Sequence, residues 1–174
     1  MTLICSVIVC AVPLLASMAL GANTMKSESG WFDFENCAFC KNLSADPGLL
    51  EHTTWETHAI KSGMMTIMTI EPEYDDAMAK AEKAMNDLGM KIQAGEVNPM
   101  GLKMCGHCQK WGMLMMGGKV KMEEVRGHAA RVSLSTSDDP AVVAQLHEIA
   151  ERNAEEQALM MSGGEKKDHP HDAH

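Results

Sequence analysis

Two short runs, "CAFC" at Cys37 to Cys40 and "CGHC" at Cys105 to Cys108, carry one cysteine spacing twice in a chain of 174 residues. Two residues between cysteines let both sulfurs face one point while backbone N–H groups of the turn aim at them. Zinc and iron knuckles use this spacing for that reason. One knuckle from each run would close a tetrahedral four-thiolate site, so Cys37, Cys40, Cys105 and Cys108 are the first candidate metal ligands. The same four thiols could instead form a disulfide framework with three possible connectivities. Links between the runs would stabilise more than short loops within each CxxC. Thiol–disulfide oxidoreductase chemistry is the third reading, and it requires an accessible cysteine of low pKa.

Histidine and methionine widen the ligand set. His107 lies inside the second CxxC, and His58 and His128 fall at similar places relative to the two runs, so all three are further candidates. Imidazole suits zinc or copper, while thiolate and thioether suit Cu(I). Met113, Met115 and Met116 follow Cys108 closely, but methionine more often fills gaps in a core, and this chain has 17 of them. The expected cofactor is one transition-metal ion, zinc first, with copper and iron as the other metals these ligands suit. Haem is not expected, because a c-type attachment needs histidine directly after the second cysteine and Lys41 and Gln109 stand there. Neither CxxC follows a convincing strand, as a thioredoxin-like site would, and neither GxSxG nor HExxH occurs. A non-catalytic role is expected.

The compartment bears on those thiols. Residues 1–21 hold no charged side chain, are apolar from Leu3 to Leu20, and end in Ala19-Leu20-Gly21, a sequence suited to signal peptidase. Cleavage there would export the chain to the periplasm or beyond. It would also remove Cys5 and Cys10 and leave four cysteines, all in the CxxC pairs. Without cleavage, the segment would be an N-terminal membrane anchor. The formal net charge of -9 argues against nucleic acid and against an anionic membrane surface, both of which reward clustered Lys and Arg. The partners expected are a metal ion and another exported protein.

The elements that must position the cysteines read as two similar units. A shift that lays Cys37 on Cys105 also lays Cys40 on Cys108 and Pro72 on Pro140. A duplication would give a CxxC segment, a β-hairpin and a helix twice, packed about a pseudo-two-fold axis as one α+β domain. The units span 31–94 and 102–161, with a linker at 95–101 and a disordered His-containing tail at 162–174. In the first unit, strands flank Ser62-Gly63, and Tyr74, Met78, Ala81, Met85, Leu88 and Ile92 form a helical stripe. In the second, Val132, Leu134 and Thr136 alternate with Arg131, Ser133 and Ser135, which predicts a strand whose Val-Leu face is buried. Asp139-Pro140 then starts a helix led by Val142, Leu146 and Ile149, which Asn153 and Glu156 predict to be more exposed in its second half.

The order "CAFC…DPGLLEHTTWETH…MMTIMTIEPEYDDAMAKA" followed by "CGHC…GHA…TSDDPAVVAQLHEIAER" resembles a group of small exported bacterial proteins. The resemblance runs from Cys37 to about Arg152, with "TSDDPAVVA" as its most specific part. It implies an exported, duplicated module and carries no activity, substrate or cofactor.

Overall fold

A computed structural model describes residues 30–127 and 130–161. The expected signal segment, the tail from 162 and His128 lie outside the described residues. β1 (Thr53–Ile60) and β2 (Gly63–Ile70) form the first hairpin, with Thr53 opposite Ile70 and Ile60 opposite Gly63. β3 (Lys121–Arg126) and β4 (Arg131–Thr136) form the second. β2 and β4 pair antiparallel at the centre, so the sheet runs β1-β2-β4-β3. Gly63 makes that central pairing possible. Its φ is 153°, and a Cβ there would lie 2.0 Å from the Ser135 carbonyl oxygen.

Each hairpin feeds a helix on the same sheet face, which gives an α+β fold. After β2, a 3-10 turn at Pro72–Tyr74 precedes α1 (Asp75–Gln93), so the helix proper starts later than Glu71-Pro72 suggests. After β4, Asp139 Oδ1 accepts the Ala141 amide at 2.9 Å and Pro140 opens α3 (Pro140–Met161), as the sequence predicts. Between the hairpins lies α2 (Gly106–Met116). α3 lies against β1 and β2, where Val142, Leu146, Ile149 and Ala150 pack with Met64 and Leu114. His147 adds a polar tie, with Nε2 2.8 Å from the Ile60 carbonyl oxygen.

α1 covers the other half of that face with less apolar contact. Met78 and Ala81 are buried with Leu49 against Trp55, Met68 and Ile70, but Met85, Leu88 and Ile92 are only half-buried. Ion pairs supplement the packing: Arg131 of β4 reaches Glu82 at 2.6 Å and Asp75 at 3.0 Å.

Two expectations need correction. The second half of α3 buries fewer residues than the first, as expected, but Asn153 and Glu156 are not its exposed positions, since both are buried. The sheet also shows the reverse of the expected alternation. Thr57, Thr66, Ser133 and Ser135 lie on the helix-covered face with Met64, whereas Val132 and Leu134 lie on the other face with Met65, Ile67 and Val125. Leu146 and Ile149 of α3 are fully buried over the helix-covered face, packed with Met64 and Leu114. Replacing Leu146 with Ala should destabilise the protein by ~2–5 kcal/mol, whereas Val132→Thr should cost less than about 1 kcal/mol in dilute protein. Urea denaturation of both variants checks this, and a larger loss for Val132→Thr would contradict the face assignment.

Candidate metal centre

Two stretches of irregular chain bring the CxxC runs together. In the first, Asp33 Oδ1 accepts the Asn36 amide at 2.8 Å and the Glu35 amide at 3.2 Å, closing a turn that presents Cys37. Those bonds, with Asn36 first and Lys103 contributing, hold the Asp33 carboxyl below its ordinary value. The Cys37 amide donates to the Asp33 carbonyl, and Cys40 opens a single 3-10 turn, Cys40–Asn42. The second run has a different setting: Cys105 is the N-cap of α2 and Cys108 sits in its first turn. Helix-start amides lack partners within the helix. Here Gly106 donates to the Gly30 carbonyl at 3.1 Å and His107 to the Trp31 carbonyl at 3.0 Å. Ala38 donates to the Lys103 carbonyl at 2.8 Å, which stitches one run to the other.

The four sulfurs then lie within 4.8 Å of one another. Cys40 Sγ is 3.6 Å from Cys105 Sγ and 3.4 Å from Cys108 Sγ. A tetrahedral ion with metal–sulfur bonds of about 2.3 Å would set its sulfurs ~3.8 Å apart, whereas a disulfide needs about 2.05 Å. All four are free thiols at metal-site spacing. Cys37, Cys40 and Cys105 are buried and Cys108 is half-buried. Phe32, Phe34, Phe39, Leu43, Leu50 and Met160 pack around them, so all three phenylalanines of the chain serve this cluster.

Crowding the sulfurs splits their acidities. Contact with Cys105, then Cys108 and Cys40, holds the Cys37 thiol far below its ordinary value. Cys105 is lowered to about 7, with the Cys108 thiol the main cause and the Cys108 amide also contributing. The α2 N-terminus favours a thiolate there as well. Cys40 is pushed strongly up, by Cys105 first and then Cys108, and Cys108 is pushed up by Cys105 first and then Cys37. Four sulfurs this close cannot all carry charge unless a cation sits among them.

Of the two histidine candidates among the described residues, His107 comes near the cluster, and its ring nitrogens are not among the converging ligand atoms. Its Nδ1 donates to Asn153 Oδ1 at 3.0 Å, and Trp31 Nε1 donates to the same oxygen at 2.8 Å. Burial lowers the His107 pKa, outweighing the Asn153 bond, so the imidazole is neutral and fixed in one tautomer. Phe32 and Trp31 flank its ring at 5.2 Å and 5.8 Å between centroids. His58 lies elsewhere, on the uncovered face of β1, 3.2 Å from Glu56. Met113, Met115 and Met116 are exposed near the far end of α2, ~8–12 Å along the axis from Cys108.

Asn153, Trp31 and the α2 helix itself were not foreseen. Gly106 and Gly112 depress helix propensity in that segment, and no Ser, Thr or Asp marks its start. The nearest signal is the clustering of Phe32, Phe34 and Phe39 around the first CxxC in a chain with so few aromatics.

Fold and site define a small α+β protein whose two CxxC runs converge on one four-cysteine cluster able to hold a metal ion. Comparisons with protein-family models, curated proteins and solved structures return no match. Among the described residues, no helix is long and apolar enough to cross a membrane. Replacing Asn153 with Leu should strand the Trp31 and His107 donors in a buried setting and cost ~1–3 kcal/mol. Chemical denaturation followed by tryptophan fluorescence measures this, and an unchanged midpoint would show that Asn153 does not hold the two rings.

Proposed function

We propose that the protein is an exported, non-catalytic binder of one transition-metal ion, held by Cys37, Cys40, Cys105 and Cys108. The observation that carries this reading is the convergence of all four sulfurs within 4.8 Å while none is in a disulfide. Zinc is the first choice, because a closed tetrahedral four-thiolate set suits zinc and also iron. Copper gains no further support, since among the described residues no imidazole nitrogen joins the four sulfurs. With every coordination position filled by the chain and three of four ligands buried, no open position remains for a substrate. The ion's role is then structural: it ties residues 30–50 to α2, and through Trp31, His107 and Asn153 to α3. Export rests on the uncharged, apolar first 21 residues.

The two other chemistries have less support. A disulfide framework would need sulfurs now at 3.4 Å or 3.6 Å to close by more than 1 Å. An oxidoreductase of CGHC type would expose its first cysteine to attack, but Cys105 is 5% exposed.

Intact mass separates the three. Protein taken from its exported compartment without reductant should carry one metal ion under native conditions and show four free thiols once denatured. A metal-free chain four hydrogens lighter than the reduced form would overturn the proposal in favour of two disulfides. Because metal binding and folding are coupled in such sites, Cys40→Ser should reduce metal content and lower the thermal midpoint together. Loss of metal with an unchanged midpoint would refute the structural role.

A further inference from the structure

The outer face of the sheet has the composition of an interior. Side chains paired across strands share a face, so one level there reads Glu56, Ile67, Val132, Val125 and the next reads His58, Met65, Leu134, Glu123. Ile60 and Lys121 lie at the two edges one level further on. At the first two levels β2 and β4 carry apolar side chains, while the edge strands carry Glu56, His58 and Glu123 beside Val125. Both helices that pack on the sheet meet the opposite face, through Met64 for α3 and through Trp55, Met68 and Arg131 for α1. None of Ile67, Met65, Val132 or Leu134 belongs to a buried core cluster, and Val125 is 64% exposed. An antiparallel sheet that faces water on one side normally puts polar residues there. This one instead sets Thr57, Thr66, Ser133 and Ser135 on the covered side, with Thr54, Thr69 and Thr136 at the ends of the outer face.

We propose that this face is the self-association surface of the protein and packs against the same face of a second copy. Its pattern is self-complementary about a two-fold axis running parallel to the strands between β2 and β4. Such an axis sets β2 over β4 of the other copy and β1 over β3. Ile67 then meets Val132 and Met65 meets Leu134, twice each, which builds an apolar centre. At the margins His58 meets Glu123, Glu56 meets Val125, and Ile60 meets the Lys121 stem, so no level sets like charges against each other. Sheets pack face to face with their strands roughly aligned in this way. Four strands about 4.8 Å apart and about 20 Å long offer roughly 400 Å² of footprint per copy, at the small end for protein interfaces. At about 800 Å² in total the dimer is a weak, reversible one.

Sedimentation equilibrium on the metal-loaded full chain, from about 1 to about 200 micromolar, tests this. The expected result is a concentration-dependent dimer. Leu134→Glu should weaken it by at least about tenfold while metal content and thermal midpoint stay unchanged. Glu123→Lys should weaken it as well, and adding His58→Glu should restore it, because the two positions face each other across the axis. A monomer at every concentration overturns the proposal. A dimer indifferent to both Leu134→Glu and the charge exchange overturns it too, and would leave the face to a different protein.

Discussion

Four sulfurs from two distant parts of the chain meet at one buried point, and much of the molecule is arranged around that meeting. Cys37 and Cys40 come from irregular chain that contributes no strand and only one turn of helix. Nothing in residues 30–50 resembles an element that would hold its place alone. It is held by the Asp33 turn, by three backbone hydrogen bonds to the second run and its approach, and by phenylalanines packed against the thiols. A cation at the centre would turn mutual repulsion among thiolates into the strongest cross-link in the protein.

The consequences extend to α2 and α3. A helix with two glycines and no polar N-cap gains definition when its first two amides are taken by Gly30 and Trp31 and its start supplies the sulfurs of Cys105 and Cys108. The buried polar residues of α3 make sense in the same terms. Asn153 accepts from Trp31 and His107 together, and Arg152 meets the buried Glu156 at 2.5 Å, so the inner face of α3 mixes apolar packing with polar support for the cluster. His107 acts through its neighbours as a positioning residue and keeps the CGHC turn in one orientation.

Where one local signal dominated, the sequence was legible. The two hairpins, the Asp139-Pro140 helix start and the cysteine quartet could all be read from spacing, turn residues and a cap. Other features depended on facts outside any short window. The strand "RVSLST" alternates cleanly, and alternation says only that its two faces differ. Which face is inside depends on where α3 and α1 pack, which no short window of sequence shows. Asn153 and Glu156 looked like interruptions of an apolar stripe because their partners, His107, Trp31 and Arg152, were not visible as neighbours in three dimensions.

The structural role of the cluster requires that one ion bind all four cysteines. X-ray absorption at the edge of the bound metal, on protein purified without added metal or reductant, tests that directly. A single shell of four sulfur scatterers at about 2.3 Å is the result predicted. A shell containing nitrogen or oxygen, or fewer than four sulfurs, would contradict it and would mean that the convergence of Cys37, Cys40, Cys105 and Cys108 serves some other chemistry.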